Sequence, residues 1–164
     1  MLLPSACALQ LGYTARARFE PAADGMLVIQ LRDVTDDGVE PGHLMRTQLH
    51  ERVDRYLVRE GDVLFRSRGE RNIAIALGRP FSEPAIAVSP LMVLRPKKEV
   101  INPAFLAWSI NQPDAQRHFD TIARGTSIRM IPKASLEDLA IDVPDLETQR
   151  RIVAIADLDT AQGR

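Results

Sequence analysis

The chain has 164 residues, of which 45% are hydrophobic and 26% are charged, as expected for a soluble globular protein of one domain. Its single cysteine, Cys7, excludes an internal disulfide framework and fits a reducing cytoplasm, and no apolar run approaches the roughly 20 residues of a membrane span. The net charge of -1 weighs against a uniformly basic nucleic-acid-binding protein. At the start of the chain, residues 1–12 are apolar but lack a preceding basic segment, so we expect no signal peptide.

The first half of the chain contains short apolar segments separated by turn signals, a pattern that predicts strands. Pro90 lies inside the last of these segments and predicts an edge, a bulge or a break. Residues 53–58 are compatible with either a strand or a helix. Residues 66–72, with the sequence RSRGERN, contain no apolar side chain and are predicted to form an exposed loop. The predicted strands are residues 26–31, 63–65, 73–77 and 85–94.

Helix start signals dominate the second half of the chain. Asn102 followed by Pro103 is typical of an N-cap and a first helical residue, and this pair predicts a helix that extends to residue 110. Pro113 predicts the start of a second helix that continues to about Arg124 and ends at Gly125.

Shorter elements and a final helix complete the pattern. Residues 127–131 and 140–143 predict brief strands, and residues 135–138 predict a capped helical turn. Asp145 is placed to cap a last helix over residues 146–162, whose apolar positions recur at helical spacing. The whole pattern predicts an α+β fold, with a twisted, mostly antiparallel sheet and helices in the second half.

Charge is distributed unevenly along the chain. Arginines concentrate between residues 59 and 71, whereas acidic residues gather toward the C-terminal end, from Glu137 to Asp159. A basic segment and an acidic end are compatible with two faces for two partners, and also with two solvated surfaces that have no binding role.

No pattern in the sequence predicts catalysis or metal binding. The three histidines lie far apart without metal-ligand spacing, and the sequence lacks paired cysteines, a phosphate-binding loop and a serine-hydrolase elbow. Asp145 and Glu147 resemble part of a nuclease carboxylate cluster, but Gln149 stands where that chemistry needs a lysine. A glycine-rich loop for S-adenosylmethionine is also missing. We therefore expect no catalytic residue, no metal site and no cofactor in this chain.

Two longer segments carry a more specific signal. Residues 59–69 (REGDVLFRSRG) place a Gly-Asp turn before a strand, and residues 125–158 end in a Pro-x-Leu step and a helix that begins PDLETQRRI. With NPAFL at residues 102–106 between them, these motifs resemble, in order and spacing, the DNA specificity domain of type I restriction–modification systems. The resemblance extends over residues 27–158. The sequence departs from the family pattern at Thr148, which separates a glutamate and a glutamine that are usually adjacent.

The resemblance implies a specificity subunit in which two target-recognition domains each recognise half of a split DNA target. Long conserved helices join the two domains and bind methyltransferase subunits, which hold S-adenosylmethionine and carry out methylation. Residues 1–145 correspond to one target-recognition domain, and residues 146–164 correspond to the start of a conserved helix. The chain is then a half-subunit that dimerises, a fragment of a larger protein, or a relict with another task.

The resemblance and the charge pattern together predict a face that binds double-stranded DNA. Arginine pairs with guanine edges and with phosphates, and the loop that contains Arg66, Arg68 and Arg71 has no apolar residue to draw it into a core. The alternative is a solvated hairpin tip, and the sequence does not show that this loop shares a face with any other basic segment. A second basic segment is expected to contact the DNA backbone through Arg124, Ser127, Arg129 and Lys133.

The last predicted helix carries an apolar stripe that is expected to bind a methyltransferase subunit or a second copy of the chain. The stripe consists of Leu146, Ile152, Val153, Ile155 and Ala156. Two functions of different classes remain open. One is DNA recognition that directs a methyltransferase/endonuclease complex in the cytoplasm, and the other is a non-catalytic interaction module that binds a methyltransferase subunit or itself without recognising DNA.

Overall fold

The computed structural model describes residues 1–79 and 81–162 of the chain, which form two sheets and a layer of helices. The strands are β1 (Cys7–Leu11), β2 (Pro21–Ile29), β3 (Met45–Thr47), β4 (Val63–Arg66), β5 (Ala74–Ala76), β6 (Ala85–Ala87) and β7 (Leu91–Pro96). The helices are α1 (Leu3–Ala6), α2 (Pro103–Ile110), α3 (Pro113–Ala123), α4 (Lys133–Glu137) and α5 (Leu146–Gln162). Single turns of 3-10 helix lie at Leu31–Asp33, Pro41–His43 and Asp54–Tyr56.

The strands divide between two sheets. Four antiparallel strands form one sheet in the order β1-β7-β4-β5. Three strands form the other in the order β3-β2-β6, in which β2 runs antiparallel to β3 and parallel to β6. The α+β class, the mostly antiparallel pairing and the concentration of helices in the second half are therefore confirmed.

The four-stranded sheet is the middle layer of the fold, because its side chains contribute to two different cores. In β4, Val63 and Phe65 pack with α2 and α3, whereas Leu64 between them packs with β2 and β6 of the second sheet. Successive residues of a strand face opposite sides of a sheet, so a strand covered on both faces needs a continuous apolar run. All three side chains are completely buried.

Two segments of the first half differ in detail from the simplest prediction. Residues 85–94 are not a single strand, since β6 and β7 belong to different sheets with Pro90 between them. A break was one of the outcomes that this proline predicts. Residues 53–58, which were compatible with a strand or a helix, contain the 3-10 turn at Asp54–Tyr56.

The helix start signals of the second half are confirmed. Asn102 Oδ1 accepts a hydrogen bond from Phe105 N at 3.2 Å, which caps α2, and Pro113 is the first residue of α3. Asp145 Oδ1 accepts a hydrogen bond from Thr148 N at 2.8 Å at the start of α5. The bonds from Thr148 hold the pKa of Asp145 below its ordinary value, because they stabilise the ionised carboxylate.

Three short elements of the second half were predicted wrongly. Residues 127–131 and 140–143 do not form strands, because each segment makes only a single β-bridge before the chain turns away. The helical turn predicted at residues 135–138 begins earlier, at Lys133, so Ser135 lies inside α4 and does not cap it. Pro132 precedes this helix, where its fixed φ and missing N–H cost no intrahelical hydrogen bond.

A buried glutamine attaches α5 to the rest of the domain. Gln149 is completely buried, and its Oε1 accepts a hydrogen bond from Asn102 N at 2.8 Å. Its Nε2 donates to the carbonyl oxygens of Val100 and Pro144 at 2.9 and 2.8 Å. The first turn of α5 is therefore part of the domain. Residues 163–164 of the predicted conserved helix lie outside the described residues.

Candidate nucleic-acid interface

Two basic segments that lie far apart in the sequence meet in the structure. Residues 66–72 begin at the last residue of β4, and residues 124–133 extend from the end of α3 to the first residue of α4. Arg68 and Met130 form an antiparallel β-bridge between them, with backbone hydrogen bonds of 2.7 and 3.4 Å on its two sides. The exposed surface that these two segments form is called the basic surface below. The sequence alone did not show that the segments share a face, and the fold brings them together.

Asn72 is the polar centre of this junction. It is completely buried, and its Nδ2 donates to Arg66 O at 2.9 Å while its Oδ1 accepts from Arg129 Nε at 2.7 Å. Its backbone carbonyl accepts a hydrogen bond from Gln116 Nε2 at 3.0 Å. The prediction that residues 66–72 form an exposed loop is therefore wrong for Asn72 and for Ser67, which is also buried.

Arg66 is the last residue of β4 and does not extend into solvent from an exposed loop. Its Nη1 donates to the carbonyl oxygens of Leu31 and Val34 at 2.8 and 2.7 Å. The guanidinium group thereby satisfies backbone carbonyls of the 3-10 turn that follows β2. The predicted contact of Arg66 with DNA stays a prediction, and in this geometry such a contact requires that these two bonds be shared or broken.

Arg68, Arg124 and Ser127 are exposed on the basic surface. Neither Arg68 nor Arg124 forms an ion pair in the described part of the chain, residues 1–79 and 81–162. Their charges face solvent, where an anionic ligand can reach them. Gly125 has a φ of 84°, a conformation that glycine adopts without strain, and it turns the chain from α3 into the segment that carries Ser127.

Three further cations of the basic surface, Arg71, Arg129 and Lys133, have acidic partners. Because an exposed ion pair contributes only about 0–1 kcal/mol, such partners can be exchanged for phosphate at low cost. The hydrogen bond that Arg71 donates to the Asp36 carboxylate raises the pKa of Arg71 above its ordinary value. The pairs are Arg71–Asp36, Arg129–Asp120 at 2.7 Å, and Lys133–Glu137 at 3.9 Å.

Two large apolar side chains also lie on the basic surface, and the sequence reasoning missed them. Ile128 and Met130 are 66% and 44% exposed. The Sδ atom of Met130 accepts a hydrogen bond from Arg68 Nη2 at 3.6 Å. The signal was present in the sequence GTSIRMI, where two apolar residues alternate with a polar and a basic one, but it was interpreted as a strand.

The apolar stripe of α5 is divided between the domain and solvent. Ile152 and Val153 are half-buried and pack against the main core, and Leu146 and Ala156 are also half-buried. Ile155 is 60% exposed. Leu158, which the predicted stripe did not include, is 61% exposed. Ile152 and Val153 therefore attach α5 to its own domain, while Ile155 and Leu158 expose apolar surface to solvent.

Residues 1–79 and 81–162 contain no group of three or more histidine, cysteine, aspartate or glutamate side chains placed to hold a metal ion. Among the helices of the same described residues, none has the length and apolar character needed to cross a membrane. His118 Nε2 lies 3.0 Å from the carbonyl oxygen of Ser135, a contact that joins α3 to α4.

Comparison with known proteins finds a family and a group of similar solved structures. A family model described as the type I restriction modification DNA specificity domain matches residues 38–159. The crystal structure of the HsdS subunit from Thermoanaerobacter tengcongensis is similar, with a TM-score of 0.69 and 21% identity over 99% of this chain and 37% of that chain. A search of curated proteins returned no match.

Two further structures share the fold. The crystal structure of the type I restriction-modification S subunit from M. genitalium has a TM-score of 0.63 and 12% identity, over 96% of this chain and 37% of that chain. A structure from work on complex assembly and conformational transition of the type I R-M system has a TM-score of 0.65 and 21% identity. The match covers 99% of this chain and 38% of that chain. The chain thus spans less than two fifths of the length of the structures it matches.

Proposed function

The chain belongs to the type I restriction modification DNA specificity domain family, and from this premise we propose that it recognises part of a specific double-stranded DNA sequence. It acts as one target-recognition half of a specificity subunit and directs a methyltransferase/endonuclease complex in the cytoplasm. The observation that carries the proposal is the β-bridge between Arg68 and Met130, which joins two basic segments into one exposed surface. A chain with a net charge of -1 thereby concentrates positive charge where a duplex can bind.

The cations of the basic surface have different tasks in this proposal. Arg68 contacts a base edge, because its exposed guanidinium can form two parallel hydrogen bonds with guanine in the major groove. Arg124, Arg71 and Lys133 contact phosphates, and Ser127 lets the backbone approach them closely. Arg66 and Arg129 contribute mainly by holding the surface in shape, through the hydrogen bonds described above.

Chemistry and assembly belong to partner chains in this proposal. A methyltransferase subunit supplies S-adenosylmethionine and transfers the methyl group, and this chain binds no cofactor. The exposed residues Ile155 and Leu158 of α5 contact that subunit or the same helix of a second copy. With S-adenosylmethionine, Mg²⁺ and duplex DNA, the purified chain alone is expected neither to methylate nor to cut. Activity that survives stringent purification contradicts this assignment.

The test compares duplex binding of two double variants over a range of salt concentrations. Arg68→Ala combined with Arg124→Ala removes the two exposed charges of the basic surface that form no ion pair with the described residues. Arg117→Ala combined with Arg151→Ala removes the same charge from exposed helical positions elsewhere. Each lost phosphate contact is expected to reduce the slope of log affinity against log salt by about 0.9, and a lost base contact to cost about 1–3 kcal/mol and alter the target preference.

The control variant is expected to keep the affinity and the salt slope of the original chain. Unchanged affinity and slope in a folded Arg68/Arg124 variant, with folding checked by circular dichroism, contradict the proposed interface. In that case the second candidate, an interaction module that binds a partner without recognising DNA, is favoured by the exposed apolar pair Ile155 and Leu158.

A further inference from the structure

The basic surface exposes large apolar side chains where a purely electrostatic DNA contact needs none. Single apolar residues on a protein surface are common and need no explanation. Ile128 and Met130, however, are exposed together on one short segment between Arg124 and Lys133. Met130 also contacts the guanidinium of Arg68. Met130 therefore lies beside Arg68, which faces solvent and forms no ion pair with the described residues, and Ile128 is exposed two residues before Met130.

The local structure holds these two side chains outward. Burial alternates along the segment, since Ile131 is completely buried and Arg129 is held by Asn72 and Asp120, whereas the residues between and before them are exposed. The bonds of Arg129 and the burial of Ile131 fix the chain on both sides of Met130, and Met130 and the preceding Ile128 stay on the exposed side.

A DNA duplex offers one apolar feature to such a surface. In the major groove the C5-methyl group of thymine is the apolar part of the base-pair edges, and it distinguishes an A·T pair from the other pairs. We propose that Ile128 and Met130 contact a thymine methyl group in the major groove, beside the base that Arg68 recognises. The basic surface then selects thymine at a defined position of the target. This inference rests on the proposed function and adds the specificity-determining residues.

The first experiment compares the sequences that each variant selects from a random duplex pool. The original chain and Leu11→Ala, which removes a comparably exposed apolar side chain from β1, are expected to enrich the same sequences. Ile128→Ala and the Ile128→Ala/Met130→Ala double variant are expected to lose the thymine preference at one position and to retain the preferences elsewhere. Identical selection by all four proteins overturns the inference.

The second experiment removes the methyl group from the DNA. Deoxyuridine replaces thymidine at the selected position, which deletes the C5-methyl group and keeps the base pair. The original chain is expected to lose about fourfold in affinity, the equivalent of about 0.8 kcal/mol for one buried methyl group. The Ile128→Ala/Met130→Ala variant is expected to bind the two duplexes equally. Equal sensitivity of both proteins to the methyl group overturns the inference.

The two proposals fail in different ways. If the original chain enriches no sequence, the proposed function fails and the thymine contact fails with it. If the chain selects a target but the two apolar residues do not affect it, DNA recognition stands and the methyl contact is refuted. If the apolar variants weaken binding to every sequence equally, the side chains contact the backbone or insert between bases without preference, which also refutes base selection.

Discussion

Gln149 offers the sharpest test of how the domain holds its last helix. The substitution Gln149→Ala removes a completely buried side chain whose amide makes three hydrogen bonds of 2.8–2.9 Å. These bonds connect α5 to Val100 and Asn102, the segment that precedes α2, and to Pro144 before α5 itself. Alanine leaves the N–H group of Asn102 and two carbonyl oxygens without these partners.

The expected loss of stability follows from the bonds removed. A neutral intramolecular hydrogen bond contributes about 1 kcal/mol net, and a buried donor left without a partner costs about 1–3 kcal/mol. We expect Gln149→Ala to lower the free energy of unfolding by about 3 kcal/mol, which is a large share of the roughly 5–15 kcal/mol that stabilises a typical domain. For a chain of this size the melting temperature is expected to fall by about 6–12 °C.

Urea unfolding followed by circular dichroism measures this effect. Gln149→Glu keeps the acceptor for Asn102 N but places a carboxylate against two carbonyl oxygens, so it is expected to destabilise the fold at least as much as alanine. Arg150→Ala changes the exposed neighbouring residue and is expected to stay within about 0.5 kcal/mol of the original chain. A loss below about 1 kcal/mol for Gln149→Ala refutes the reasoning, because it means that the three bonds contribute almost nothing.

Three further predictions concern the junction, a helix cap and the cysteine. Asn72→Ala is expected to lower the free energy of unfolding by about 2 kcal/mol, because it removes the bonds to Arg66 O and Arg129; a urea-unfolding change below about 0.5 kcal/mol contradicts this. Asp145 has a pKa below its ordinary value of 3.8, so its ionisation stabilises the fold above that pH and the contribution is lost as the pH falls through the lower folded value. Asp145→Asn is therefore expected to show a weaker loss of stability below pH 3.8 in acid titrations, and an unchanged titration refutes the cap assignment. Burial raises the pKa of Cys7 to about 12, so its thiol is expected to react with a disulfide reagent at pH 8 only after unfolding in urea; rapid reaction of the folded chain refutes this.

Several parts of the fold were predictable from the sequence because local rules decide them. Asn102 before a proline and Asp145 before the last helix each satisfy an N–H group only three residues ahead. The apolar run of β4 likewise reveals a strand with both faces covered. Local signals failed where the outcome depends on a distant neighbour. Residues 127–131 have a strand-like composition, yet in the described chain the only β-bridge of this segment is the one between Met130 and Arg68.

The two buried amides that hold the basic surface and α5 in place, Asn72 and Gln149, were not predictable for the same reason. Asn72 holds Arg129 across 57 positions of the sequence, and Gln149 holds Asn102 across 47. An amide side chain in a polar loop or on a helix gives no sign of such a bond, because exposed and buried amides have the same sequence context. Only the fold shows which distant residue each amide bonds, because it brings the two residues of each pair together.

The bonds within the basic surface decide how its cations divide the task of binding an anion. A guanidinium that already bonds two carbonyl oxygens, as in Arg66, or a carboxylate and an amide, as in Arg129, must share or give up those bonds when it binds a phosphate. Exchange of one hydrogen bond for another yields little net free energy, whereas an exposed cation without an acidic partner gives up only solvent and counterions. The basic surface therefore contains arginines that mainly shape it, and among its described cations Arg68 and Arg124 are the exposed ones without an ion pair, whose charge is available for binding.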